Sequence, residues 1–328
     1  MKRVLYASFL ASVSFLLFVG EAFIQTQSTA AAAEYPTKPI QVIVPYAAGG
    51  GTDIVARLIA HFAKDSLGQP IVIVNMPGAA GALGHREIAN AEPDGYTLGM
   101  LSYPDSAINP KGASAGFRNE DFIPLATFTR TPSVLAVRKD GPFKNFQEFV
   151  AYAKKNPRKI TVAVGGQAHL LCVILIEQAM GIDLNAVMFK GGSEAMKTLM
   201  GGHTMTAIAA SQYIAKDAEA KGVLAVALTG DTHQEAFPGV PTFKELGLDV
   251  PIDMMRIFCV PKGVSPVIQQ KLTTAVVKLD KNNDFIDKVK GSGEIYNPLF
   301  GKELQEYYRK SSSLLSVTVE KFKAKFEE

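Results

Sequence analysis

The residues best placed to do chemistry lie in Pro45-Tyr-Ala-Ala-Gly-Gly-Gly-Thr-Asp53, between an apolar run and a helical one. Glycines let the backbone approach a bound group closely. A helix starting just beyond them offers free N–H groups and the positive end of its dipole. That combination suits an anion such as a carboxylate. Thr52 is placed to cap the helix, and Asp53 falls in its first turn. A tight turn in which both residues only cap the helix fits the loop equally well. A nucleotide loop fits poorly, because neither Gly-x-Gly-x-x-Gly nor a Gly-Lys-Ser/Thr ending is present in it.

Three further glycine-rich loops lead into helical segments. They are Asn75-Met-Pro-Gly-Ala-Ala-Gly81, Val164-Gly-Gly-Gln-Ala-His169 and Lys190-Gly-Gly-Ser193. Each can aim a helix N-terminus at a ligand, and the first can equally be a turn with close helix packing. His169 can contact a ligand, cap its helix or sit between lobes. Catalytic constellations are expected to be absent, a nucleophile elbow included. His61, His85, His169, His203 and His233 are scattered, and no pair has metal-ligand spacing. Neither cysteine adjoins a glycine-rich turn that would expose a thiolate. Carboxylates such as Glu87, Asp121 and Glu148 read as solvated faces or caps.

The elements that must position these loops alternate from Pro36 onward. Ile40–Val44 is β-branched and bounded by prolines, as a buried strand would be. Helical spacing follows over Thr52–Leu67 and stops at Gly68. Strands are expected at 71–74 and 97–101, with a helix over 81–91 between them. The alternation resumes with helices over 145–155, 169–180 and 193–200. Strands are expected at 160–164, 187–189, 204–209 and 223–228. After 255–260 comes a mostly helical tail over 267–279, 285–290 and 304–326. Two such series imply an α/β chain of two lobes, with parallel sheets covered by helices. Crossovers near Val134–Val137 and Arg256 make the first lobe discontinuous, at 34–135 and 256–328. The second lobe is 136–255.

The 328 residues are 47% hydrophobic and 20% charged, enough for two cores. The net charge of +3 carries no basic block, so nucleic acid is not expected as a partner. Lys2 and Arg3, the apolar stretch Val4–Val19 and the small run Ala30–Ala33 have the layout of a secretory signal peptide, cleaved near Ala33. An uncleaved anchor is the rival reading, although a span wants ~20 apolar residues. Cys172 and Cys259 both lie in apolar runs and read as packing positions rather than a disulfide.

The mature chain resembles the tripartite tricarboxylate transporter substrate-binding family, the Bug receptors, over nearly all of Tyr35–Phe326. The motifs that carry this are Tyr35-Pro-Thr-Lys-Pro-Ile40, Ile43-Val-Pro-Tyr-Ala-Ala-Gly-Gly-Gly-Thr-Asp53, Leu67-Gly-Gln-Pro70, Pro77-Gly-Ala-Ala-Gly81 and Pro93-Asp-Gly-Tyr-Thr97. Asn109-Pro110, Asp121-Phe-Ile-Pro124, Lys190-Gly-Gly192, Gly201-Gly202, Pro238-Gly-Val-Pro-Thr242 and Pro261-Lys-Gly263 follow in order. The resemblance implies a periplasmic type II Venus-flytrap that holds a carboxylate through backbone groups and bridging waters. It implies a first-lobe pincer of Tyr46, Ala47, Ala48, Gly49, Gly50, Thr52 and Asp53. On the second lobe it implies Gly165, Gly166, Gln167 and His169, with Gly191 beside them. Asp53 and Thr52 would orient water or a ligand amine.

The implied ligand is a dicarboxylate, tricarboxylate, aromatic acid or acidic amino acid, with no cofactor and no metal. The implied partners are integral membrane transporter subunits, and a monomer is expected. The second lobe departs from the family pattern. Its loop Val164–His169 is short and lacks a hydroxyl, and Met205 stands where an aspartate is common. Met255 replaces a tryptophan, and 111–117 replaces the usual approach to the next motif. An unusual ligand, more apolar at its distal end, or a loss of affinity would follow. The expected function is capture of a small carboxylate without catalysis. An exported sensor feeding a signalling partner is the alternative, with an enzyme on the same fold a distant third.

Overall fold

The computed structural model describes residues 34–108, 116–189, 191–214, 222–230, 233–234, 237–248, 250 and 252–322. The expected signal peptide lies outside the described residues, as do Asn109, Pro110 and Lys190 and the end of the tail helix beyond 322.

The chain builds two sheets. The first runs in the order β11-β4-β10-β3-β1-β2, with β1 at Ile40–Val44, β2 at Ile71–Asn75, β3 at Thr97–Tyr103, β4 at Phe122–Thr129, β10 at Met255–Pro261 and β11 at Tyr296–Phe300. The second runs β7-β6-β8-β5-β9, with β5 at Ser133–Arg138, β6 at Thr161–Val164, β7 at Asn185–Met188, β8 at Thr206–Ala210 and β9 at Val223–Leu228. Nine helices connect these strands among the described residues: α1 (Gly51–Leu67), α2 (Ala82–Ala89), α3 (Asp105–Ile108), α4 (Phe146–Lys155), α5 (Gln167–Met180), α6 (Gly192–Met200), α7 (Pro266–Val277), α8 (Asn283–Gly291) and α9 (Gly301–Lys321). The result is a two-lobed α/β fold.

The sheets are mixed, which corrects the expectation of parallel ones. β1 pairs parallel with β2 and β3, but β10 runs antiparallel to both β3 and β4. In the second sheet β6 is parallel to β7 and β8, while β5 is antiparallel to β8 and β9. The reason is connectivity. β4 leads out of the first sheet, β5 opens the second and β10 returns to the first, so β5 and β10 run against their neighbours. β4, β11 and the short α3 were not foreseen.

Local chemistry explains the main elements. β1 reads IQVIV, with only Gln41 not fully buried. α1 buries Val55, Ile59 and Ala63 and ends where Gly68 turns left-handed at φ 69°, its amide donating to Lys64 O. Phe285 of α8 packs edge-on against Phe62 at 5.6 Å and Phe128 at 4.7 Å, closing the core on that side. Two stretches cross between the sheets. Thr131 and Met254 exchange backbone hydrogen bonds of 2.8 and 2.7 Å there, and Arg130 Nε donates to Asp253 Oδ2 at 2.9 Å. This paired crossing has the form of a hinge.

α2 sits against the start of the glycine-rich loop. A Cβ on Gly84 would lie 2.7 Å from Pro45 Cα and 3.0 Å from Met76 O. Helix propensity alone favours alanine there by about 1 kcal/mol. The backbone contact opposes it, so Gly84→Ala is expected to destabilise by ~1–3 kcal/mol in urea unfolding. A stabilised variant would refute that close approach.

Candidate functional site

The loop after β1 is held rigidly from below. Asp53 is buried, and its Oδ2 accepts from Gly49 N at 2.8 Å and Arg57 Nε at 2.9 Å. Its Oδ1 accepts from Asn75 Nδ2 at 2.9 Å, and Asn75 Nδ2 also donates to Tyr46 O at 3.0 Å. Burial pushes the Asp53 carboxyl up, but the bonds from Arg57, Gly49 and Asn75 outweigh it and hold the group below the usual carboxylate range. Asp53 therefore braces the loop from inside. Thr52 is not the helix cap: that position belongs to Gly50, which makes no side-chain cap, and Thr52 is buried within the first turn. Ala47, Ala48, Gly49 and Gly50 form the exposed crest of the loop.

Gly51 begins α1 directly over a buried ion pair. A Cβ there would stand 2.7 Å from Glu294 Oε1 and 3.2 Å from an Arg256 terminal nitrogen. Arg256 Nε donates to Glu294 Oε1 at 3.0 Å, and its Nη1 donates to Ser102 Oγ at 2.7 Å. Thr131 Oγ1 donates to the other Glu294 oxygen at 2.8 Å. The pair thus ties the helix start to the hinge.

The second-lobe loops meet this centre through α5. Gly165 is required by close approach, since a Cβ would fall 2.2 Å from Gly192 N. Asp105, at the start of α3 in the stretch that follows β3, reaches across. Its Oδ1 accepts from Ala168 N in the first turn of α5 at 3.2 Å, and it lies against Gly166. Burial raises the Asp105 carboxyl, against the Ala168 bond and the charge of Arg256. His169 is buried in the same turn, and neither ring nitrogen has a hydrogen-bond partner among the described residues. Burial, with the nearby Arg256 charge, pushes it down to about 4. Tyr46 completes the group: its hydroxyl is raised by burial and by the Asp105 charge, so it stays protonated.

Of the residues singled out in sequence, Tyr46, Gly166 and His169 converge on Arg256 and Asp105. Gly191 is half-buried, with open space where a Cβ would point. Gln167 instead lines a cavity of about 810 Å³ between α5 and β7. Arg256, Glu294 and Asp105 escaped the reading of the sequence as site residues. Arg256 had a signal, a lone charge in the apolar strand MRIFCVP, which demands a partner. Gly112-Ala-Ser-Ala-Gly116 has the spacing of a nucleophile elbow, a motif that needs a strand before it and a helix after it. Residues 112–115 lie outside the described ones, and Gly116 leads through coil and a short 3-10 turn into β4 rather than a helix. Cys172 and Cys259 are buried free thiols. No group of metal-ligating side chains occurs among the described residues.

Comparison with known proteins places this geometry in a family. Residues 55–309 match the profile of the tripartite tricarboxylate transporter family receptor. Protein BugT of Bordetella pertussis is 33% identical over 267 residues, covering 77% of this chain and 80% of its own. A solved TctC solute-binding protein from Polaromonas superposes with TM-score 0.77 at 29% identity, over 88% of this chain and 99% of that one. MatC from Rhodopseudomonas palustris, solved with bound malate, does so with TM-score 0.70 at 28% identity, over 87% and 100%. The chain belongs to the tripartite tricarboxylate transporter receptor family.

Arg256→Met leaves Glu294 unpaired in the interior and is expected to cost ~3–5 kcal/mol in urea unfolding. Adding Glu294→Leu should recover much of that loss; a double variant less stable than the single one would contradict the pairing. His85, raised by nothing and pushed down to about 3 by burial, behaves like His169. Both folded values lie below the ~6.5 of an unfolded histidine. Their stabilising contribution is therefore complete above pH ~6.5 and is lost as pH falls towards about 4, because only the unfolded chain takes up the protons. Each should steepen the loss of stability below pH ~6.5 by up to ~1.4 kcal/mol per pH unit. Thermal unfolding from about pH 7.5 to about pH 5 should flatten in His85→Leu and in His169→Leu.

Proposed function

From membership of this receptor family, we propose that the chain is an extracytoplasmic solute-binding protein. It captures a small carboxylate between its lobes and presents it to integral membrane transporter subunits. The observation that carries this reading is the convergence beneath the cleft. The N-terminus of α1 stands over the Arg256 guanidinium, while Tyr46 and the unpartnered His169 face the same centre. An oriented helix start and a guanidinium favour an anion, and they need no catalytic nucleophile to hold it.

On this reading the loop 46–51 supplies backbone amides for the carboxylate, and Asp53 acts by bracing the loop. Gly165, Gly166 and His169 supply the second jaw. Malate bound to the relative MatC supports the carboxylate class. The sheet memberships support two lobes divided close to 34–135 with 256–328 and to 136–255, with the whole of β5 from Ser133 on the second-lobe side and Met255 on the first. The basic and apolar segment 2–33 supports export to the periplasm with cleavage near Ala33. No helix among the described residues is long and apolar enough to cross a membrane. A monomer suffices, since one chain provides both jaws.

Thermal unfolding of the mature protein against a panel of small carboxylates tests the proposal. An acid at one hundred times its dissociation constant adds about 2.7 kcal/mol, a readily seen shift. Asn75→Ala removes the bonds to Tyr46 O and Asp53 that brace the loop from below. It should weaken the hit roughly fivefold, the worth of about one hydrogen bond. No shift with any acid would overturn the proposal.

A further inference from the structure

The charges in the cleft are unevenly distributed. The first-lobe side holds the start of α1 and the Arg256 guanidinium. On the second-lobe side, the anion-favouring start of α5 is already taken by a carboxylate of the protein itself, Asp105, at 3.2 Å from Ala168 N. The loop Val164–Gln167 brings no cation and no hydroxyl. Arg256, whose charge reaches Asp105, is engaged by Glu294 and Ser102 on two of its three nitrogens, and the third points at Gly51. His169 is buried and neutral with both ring nitrogens unpartnered, so it can accept a hydrogen bond there. Asp105 keeps partial exposure despite its depth.

Resting on the carboxylate-receptor reading, we infer that the ligand is a monocarboxylate whose other end is a hydrogen-bond donor, best an ammonium group, received by Asp105 and His169. A second carboxylate beside Asp105 would face its charge in a poorly hydrated site and push its already raised carboxyl up further. An ammonium there offsets the burial that raises the Asp105 carboxyl. An apolar end would leave the His169 nitrogens without partners. Asp105 is thus a specificity-determining residue, one that selects the class of acid.

Calorimetric titration with matched acids tests this. Succinate, glutarate and adipate would be compared with the ω-amino, ω-hydroxy and unsubstituted monocarboxylates of equal chain length. The unaltered protein should prefer the amino acid of the best length to its dicarboxylate by roughly tenfold or more, about 1.4 kcal/mol. Hydroxy acids should fall between. Asp105→Asn and Asp105→Ser, each checked for a folded thermal transition, should abolish or reverse that preference. A preference of the unaltered protein for a dicarboxylate or an apolar monocarboxylate would overturn the inference while leaving the receptor proposal intact. So would an unchanged ratio in both folded variants. Binding of none of these acids to any form would overturn the inference, and the wider carboxylate panel would then decide the receptor proposal.

Discussion

Arg256 lies buried in β10 with Glu294 Oε1 3.0 Å from its Nε, and Glu294 in turn accepts from Thr131 at the crossing between lobes. Neither charge has water to fall back on, so each requires the other in place. Three parts of the chain are located by that requirement. β10 must present Arg256 to the sheet end beside Ser102. The turn before β11 must present Glu294. The hinge must bring Thr131 within reach. Gly51 follows as a consequence, because nothing larger than hydrogen fits over the pair. The start of α1 is therefore set by the same interaction that sets the hinge.

This arrangement makes the cleft polar in direction. Two helix N-termini, those of α1 and α5, face it from opposite lobes, and by their dipoles alone both would welcome an anion. Asp105 removes the equivalence. With its carboxylate at the α5 start, only the α1 start remains available to an anion from outside. The buried Tyr46 hydroxyl, kept protonated beside Asp105, and the neutral His169 leave a centre with donors and acceptors around a guanidinium already paired with Glu294. Such a centre sorts ligands by where their charge lies as well as by how much they carry.

The fold was largely legible because its signals are local. β1 and α1 announce themselves by burial period, flanking prolines and a glycine stop, and the observed bounds differ by a residue or so. Sheet direction was not legible, since it depends on which lobe a strand enters from, and no short-range pattern records that. β11 was missed because YNPLF has a proline and only half-buried positions. In the site, the glycine runs marked the neighbourhoods of Tyr46, Gly166 and His169, which gather around Asp105 and Arg256. The charged residues gathered there come from elsewhere: Asp105 from the stretch after β3, Glu294 from the turn before β11 and Arg256 from the return strand. Buried charge pairs of this kind are joined by 38 residues of sequence or more, and spacing cannot reveal them. Only the cost of a lone arginine in an apolar strand points to a missing partner.

The Asp105 contact also bears on movement between the lobes. The crossing stretches are paired by backbone hydrogen bonds at Thr131 and Met254 and are buried, with one apolar cluster continuing through residues of both lobes, so a rotation of one lobe on the other has to work against packing there. Across the cleft, the Asp105–Ala168 bond must break when the lobes part. Opening exposes a carboxylate and a helix start that had satisfied each other, and water can satisfy both, so the exchange is close to neutral. A ligand biases that balance only through groups that bind better in one arrangement than in the other. A donor that pairs with Asp105 while its carboxylate sits at α1 engages both lobes at once. An acid that engages α1 alone leaves the second lobe indifferent, however tightly it is held.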